Sequence, residues 1–446
     1  MNKVHIYSLK GSVFVDLFSC VELFLSALIL CGGGFFTFYL KGFFFIHPVK
    51  TAREMFKKSE KNGISPLRAL SASLSGTLGV GNIVGVAVAL ILGGAGALFW
   101  VWASALISMV LKYCEITLGV KYRKKSGTGF AGGPMHYMSE GLRSRAGTFF
   151  AFVFCTAGVI SSFALGNIVQ VSAASDAASI IFGADKIVFA AVLSGAVGLV
   201  ALGGFERISR VTSILLPLMS GVYLVLCAAI ILREISIIPK ITASVFEGAF
   251  SANSAVGGVL GFLLSGAFSQ GVAKGTFSHE SGSGTAPMAH ANAQTDSPAR
   301  QGLLGLFEVF ADTIIMCTLS AYVILIAWEK GICEEGGMAL VLRAFGTELG
   351  TWAEYVVGAA IVLFAFSTVI CWAFYGKTCL AYITSSKKAE RIYILLYLAF
   401  CIFGAALSQD IVWKTADAAV ALMTATNMPA LFLLRREIKE ETKTLF

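Results

Sequence analysis

The feature that most limits how this chain can fold is a series of apolar runs, spread along its whole length, each long enough to cross a lipid bilayer. Residues 14–40, 187–205, 211–232 and 357–374 are clear cases. A spanning helix needs about 20 mainly apolar residues to cross the hydrocarbon core. Composition agrees: 57% hydrophobic against 13% charged in 446 residues leaves too little polar surface to cover a water-soluble globule. The chain reads as an all-α integral membrane protein. The first run is too long for a signal peptide, and no small-residue cleavage site follows a short apolar core, so it is expected to stay as a spanning helix.

Eleven spans are expected, at 13–40, 66–92, 96–121, 148–181, 187–205, 210–232, 258–291, 302–328, 352–383, 391–408 and 411–434. No connection is long enough for a second soluble domain, so 1–446 reads as a single membrane domain. Lys and Arg are distributed very unevenly over the connections. Lys50, Arg53, Lys57, Lys58, Lys61, Arg123, Lys124, Lys125, Arg143, Arg145, Lys387, Lys388, Arg435 and Arg436 fall on one side, and few basic residues fall on the other. The positive-inside rule then puts the N-terminus outside and the C-terminus in the cytoplasm of a plasma or inner membrane. The formal charge of +8 therefore belongs to solvated loops at one face and does not indicate nucleic acid. Segment 46–61 mixes basic and apolar residues at helical spacing, as in an amphipathic helix on the cytoplasmic leaflet. The ten cysteines form no CxxC pair and the five histidines no HExxH grouping. No cofactor is expected.

Two spans are interrupted. The second carries SGTLGVGN at 75–82, and the seventh carries GVAKGTFSHESGSG at 271–284. Each opens a run of five spans, which gives one extra N-terminal helix (13–40) followed by two repeats, 66–232 and 258–434. Irregular backbone at membrane depth is tolerated only where protein or a water-filled cavity satisfies its polar groups. Inverted-repeat transporters place such breaks at corresponding positions of their halves, with the binding site between them. Freed N–H groups suit a carboxylate, and freed carbonyls suit a dehydrated cation or an ammonium group. Gly79 and Gly81 would let a ligand approach the backbone itself. Glycine can also serve close helix packing, but two glycine-dense polar breaks in matching places favour a site.

These motifs, with YCEITLGVKYR, GFAGGPMHYM, TAPMAHANAQTDSPARQG, VFADTIIMCT and FAFSTVICWAFYGKTC, resemble the alanine or glycine:cation symporter family from about Pro66 to the C-terminus. The resemblance implies a fold of the amino acid–polyamine–organocation type, with ten core helices in two inverted repeats, and sodium-driven uptake of alanine or glycine. It implies that Thr77, Gly79, Val80, Gly81 and Asn82 hold the substrate carboxylate, largely through backbone N–H groups. Asn167 and Gln170 would face the substrate, Phe277 would lie beside it, and Trp372 would wall the pocket. Ser367 and Thr368 would ligate sodium together with the carbonyls of Ser75 and Leu78, a hard-oxygen set suited to a small alkali ion. The family commonly reads GTGN in the first break and FSNEAG in the second. Here Val80 replaces the hydroxyl residue, and the second break reads Phe277, Ser278, His279, Glu280, Ser281, Gly282.

Ionisable residues within spans are functional candidates by default. Glu280 is expected to accept hydrogen bonds from freed N–H groups of its own break, with Gly282 in the same loop. His279 reads as a hydrogen-bonded core histidine, a substrate contact or a proton site. Glu115 and Asp312 read as partnered structural carboxylates. The competing functions are proton coupling, a D-alanine preference, a membrane enzyme and a non-transporting sensor. For an enzyme, clustered nucleophiles at one membrane face are lacking in the sequence.

Overall fold

Inside a bilayer a peptide group has no water to bond, so long apolar segments close their hydrogen bonds within themselves as helices. The structure, a computed structural model, describes residues 17–57, 63–126, 129–250, 266–333, 336–406 and 409–446. In chain order its main helices are α1 (Leu17–Tyr39), α2 (Pro66–Thr77), α3 (Val84–Gly93), α4 (Ala97–Lys121), α5 (Arg145–Phe182), α6 (Lys186–Ala201), α7 (Gly204–Arg233), α8 (Gly266–His279), α9 (Ala286–His290), α10 (Pro298–Glu329), α11 (Thr351–Ile383), α12 (Lys387–Gly404) and α13 (Gln409–Leu433). Six described segments are long and apolar enough to span alone: α4, α5, α7, α10, α11 and Thr415–Leu433 of α13. The protein is a helical, multi-pass membrane protein.

Side chains sort as a lipid solvent requires. Large apolar groups such as Phe38, Val192, Leu199 and Leu218 point outward and are exposed, while polar groups turn inward. Lys112, Glu115, Glu308 and Asp312 are all buried. Two packings matter for the site. Helix α4 lies along α8 and α10, and α11 lies against α2, α5 and α7. The extra helix α1 packs on α4 and α13.

Several expected boundaries move. Residues 13–16 of the first span, 258–265 of the seventh, 58–61 of the amphipathic segment and 407–408 lie outside the described residues. Within the segment at 46–61, the helix runs Pro48–Met55 after a turn at Phe43–Ile46. Helix Ile238–Ala249, helix Gly337–Leu349, helix Arg435–Lys443 and a hairpin pairing Lys124–Ser126 with Gly129–Ala131 were not anticipated. These elements lack an apolar run of spanning length, and other contacts hold them. The terminal helix, for instance, buries Ile438 and Thr442 and brings Glu437 and Glu441 to 3.1 and 3.3 Å from Lys121.

Candidate functional site

The first expected interruption is present and is sharper than its motif. Helix α2 continues through Ser75 and Gly76 to Thr77. Gly79 is then extended (φ −110°, ψ −158°), Val80–Asn82 form one 3₁₀ turn, and helix resumes at Val84. Two side chains take up freed donors. The Gly79 N–H donates to Asn82 Oδ1 at 3.2 Å, and the Val80 N–H donates to Gln170 Oε1 of α5 at 3.1 Å. Glycine is needed here for close approach. A Cβ on Gly79 would lie 2.8 Å from Gln170 Oε1 and 2.9 Å from Thr368 Oγ1, and one on Gly81 would lie 3.2 Å from the Phe277 ring.

The second interruption is narrower than expected. Gly271 and Gly275 stay helical and serve packing: a Cβ on either would collide with α4, at Ala97 and Ser104. The break proper is 280–285, where Glu280, Gly282 and Gly284 have φ of +49°, +91° and +80°. A non-glycine residue in the left-handed region costs roughly 1–2 kcal/mol, so the surroundings must hold Glu280 there. Helix α4 supplies that hold. Its Lys112 Nζ donates to the His279 carbonyl at 2.7 Å, and its Glu115 Oε1 accepts from the Gly284 N–H at 3.0 Å. Spaced i,i+3, the two residues share one helix face and meet the carbonyl end and the N–H end of the break. Asn427 of α13 completes the arrangement. Its Nδ2 donates to Glu115 Oε1 at 2.6 Å and to the Gly282 carbonyl at 2.9 Å, while its Oδ1 accepts from the Tyr137 hydroxyl.

Glu280 therefore does not take the role expected of it. Its Oε2 accepts from the Thr285 hydroxyl at 2.6 Å, and the freed Gly284 N–H goes to Glu115. His279 is held at both ring nitrogens: Nδ1 accepts from the Ser281 N–H at 3.1 Å, which leaves the hydrogen on Nε2, 3.0 Å from Ser108 Oγ.

The first break meets the end of the helix that leads into the second. Asn82 Nδ2 donates to Ser278 Oγ at 2.6 Å and to Asp312 Oδ1 at 2.7 Å, and Asp312 Oδ2 accepts from Ser278 and Thr313 at 2.7 and 2.8 Å. Asn82 thus braces one broken helix against the other, and its amide is fully used. Thr77 is buried and donates to its own helix at Leu74.

Helix α11 brings Thr368 to the first break. Its Oγ1 lies 3.0 Å from the Ser75 carbonyl and 3.1 Å from the Phe364 carbonyl. Ser367 bonds back to Phe364 at 2.9 Å, and Leu78 is buried at the end of α2. Trp372 packs on Gly166 of α5 and is 1% exposed. Its Nε1 and the Ser75 hydroxyl are buried with no hydrogen-bond partner among the described residues. Asn167 lies in a π-turn at Ala164–Ile168; its Nδ2 donates to the Tyr397 carbonyl of α12 at 2.7 Å, while its buried Oδ1 has no hydrogen-bond partner among the described residues.

A cavity of about 420 Å³ opens among the hairpin, α7 and α11, lined by Lys124, His136, Asn292, Ala373, Phe374 and Lys377. A second, of about 60 Å³, lies between α1, α8 and α13 and is lined by Ile29, Lys274, Phe277, Glu280, Ser281 and Asp417. Glu115 and Asp312 are the partnered carboxylates expected of them, whereas Lys112 and Asn427 were not anticipated as residues that hold the break. The available signal was the charged i,i+3 pair in LKYCE, inside an otherwise apolar span.

Two interrupted helices meeting in a buried polar core, within a multi-pass helical bundle, define a membrane transporter. The sodium:alanine symporter family matches residues 12–445. The chain belongs to that family: it is a cation-coupled amino acid transporter and not an enzyme. The "Sodium/alanine symporter AgcS" of Methanococcus maripaludis is 34% identical over 444 residues, 96% of this chain and 97% of that one. The "Probable sodium/glutamine symporter GlnT" of Bacillus subtilis is 34% identical over 418 residues, 93% of this chain and 86% of the other. Among solved structures, a substrate-bound, outward-open Na+-coupled sialic acid symporter aligns with TM-score 0.60 and 16% identity, covering 94% of this chain and 88% of that one, which shows a shared fold.

Two outcomes follow. Gly79→Ala should abolish uptake in cells at wild-type expression, whereas Gly85→Ala, whose Cβ would meet nothing within 4 Å, should leave it nearly intact. Glu115→Ala should destabilise the purified protein by about 1–3 kcal/mol, since it strands the Gly284 N–H and the Asn427 amide, and Glu115→Gln should cost less because one acceptor remains. Thermal unfolding in detergent measures both.

Proposed function

We propose that this protein is a secondary active symporter that imports a small neutral amino acid, alanine or glycine, together with sodium by alternating access. Its architecture would be eleven spans, with the extra helix followed by inverted repeats at 66–232 and 258–434, the N-terminus outside and the C-terminus in the cytoplasm. The observation that carries the reading is the meeting of the first break with the last turn of α8, just ahead of the second. Gly81 lies against Phe277 and Asn82 against Ser278, one turn of backbone away from the Thr368 and Ser75 oxygens.

Roles follow from the chemistry of each group. The substrate carboxylate would take the N–H groups of the Gly79–Gly81 turn, displacing Gln170 from Val80, so Gln170 serves as an exchangeable partner. Phe277 and Trp372 would wall a short pocket, with the unpartnered Trp372 Nε1 directed at substrate oxygen. For sodium, the Thr368 hydroxyl would turn its hydrogen fully toward the Phe364 carbonyl. That frees a lone pair beside the Ser75 carbonyl, with Ser367 and the Leu78 carbonyl as further ligands. The large cavity on the basic face would be the inward route. The hydrogen bonds of His279 favour sodium over protons at that residue, because a second ring proton would oppose the Ser281 N–H.

One methylene in an apolar pocket is worth only about 1–3 kcal/mol, so discrimination among small side chains would be modest. The glutamine named for one relative makes glutamine the competitor to test, alongside D-alanine. The test is uptake of radiolabelled alanine into proteoliposomes. Accumulation with an inward sodium gradient, and none with choline plus a pH gradient, is expected; accumulation driven by the pH gradient alone would overturn sodium coupling. Thr368→Ala should lower sodium-dependent uptake about tenfold or more, through loss of a ligand needed for coupling.

A further inference from the structure

Lys112 is the one buried lysine among the described residues. It is 0% exposed and stands where a helix exposes its negative end, donating to the last carbonyl of α8, at His279. Its ammonium also lies 3.3 Å from Glu308 Oε1 of α10. Glu308 is shared further: Oε1 accepts from Ser73 of α2 at 3.1 Å, and Oε2 lies 3.2 Å from His290 Nε2. A short chain of charged contacts therefore runs from the second broken helix, through Lys112 and Glu308, to the first.

A helix carbonyl end, a carboxylate and a nearby hydroxyl make an oxygen-rich corner of the kind a metal ion fills. Here a side chain fills it. We propose that the Lys112 ammonium is a resident cation, occupying a metal-like position at the second break and tying the two broken helices together. It is a positioning residue and touches no substrate. The proposal rests on the sodium-coupled reading above, and it adds that the second break recruits no alkali ion of its own. The sodium that drives transport then binds only at the first break.

Shortening the side chain should turn the corner into an ion site. In Lys112→Ala the His279 carbonyl and the Glu308 carboxylate face an emptied space. In Lys112→Met the same space is filled by apolar atoms. Thermal unfolding of the purified full-length protein, in sodium against choline, reads the difference without reference to any amino acid. Lys112→Ala should gain a sodium-dependent rise in Tm beyond that of wild type, by preferential binding of the ion to the folded state. Lys112→Met and Lys112→Ala with Glu308→Gln should not gain it. A sodium response in Lys112→Ala no larger than in wild type overturns the proposal.

A second measurement uses the charge-neutral pair Lys112→Met with Glu308→Gln, which avoids stranding a buried charge. Alanine uptake should stay about tenfold or more below wild type, because the α8 carbonyl end remains unheld. Recovery to wild-type uptake would reduce Lys112 and Glu308 to a dispensable ion pair and overturn the proposal. Wild-type protein without sodium-driven uptake would instead reject the parent reading, and the Tm comparison would still decide the role of Lys112.

Discussion

A backbone group released from a helix at membrane depth must find another partner, and the polar core of this protein is organised around that demand. An unpaired buried peptide group costs about 1–3 kcal/mol by mutational measures. Each break releases several such groups. The side chains that answer them come from helices distant in sequence, so the breaks dictate which helices pack together and where polar residues are buried.

The two breaks are satisfied by different means. The first is held by neutral amides, Asn82 within the turn and Gln170 from α5, with the Thr368 hydroxyl pressed close to Gly79. Such contacts exchange readily for a ligand of matching polarity. The second is held by Lys112, Glu115 and Asn427 across both of its ends. The Lys112 contact is charge-assisted, roughly twice as strong as a neutral hydrogen bond, so the carbonyl end of this break is firmly held. Asn82 and Ser278, braced on Asp312, join the two parts.

Much of this was legible in the sequence because it rests on length and interruption. Apolar runs of spanning length marked a helical membrane protein, and the cluster at 75–82 located the first break closely, whereas the cluster at 271–284 contained the second only in its last residues. Detail was lost where one residue type serves two purposes. Gly271 and Gly275 looked like part of the break, yet they let α8 approach α4. Asn167 and Gln170 form a polar pair in sequence, but their side chains bond in different places, to Tyr397 and to Val80. Glu280 was the nearest carboxylate along the chain, whereas the acceptor that the Gly284 N–H uses, Glu115, is 169 residues away. Such pairings depend on tertiary contact between α4 and α8, which periodicity alone does not encode.

The account stands on the two breaks forming one ligand site. The most direct measurement is an experimental structure determined with alanine and sodium present. Density for the amino acid between the Gly79–Gly81 turn and Phe277, with an ion beside Thr368 and the Ser75 carbonyl, is the predicted result. An amino acid bound elsewhere, for example in the cavity beside Lys274 and Asp417, with the first break empty and Gln170 still on Val80, would contradict it.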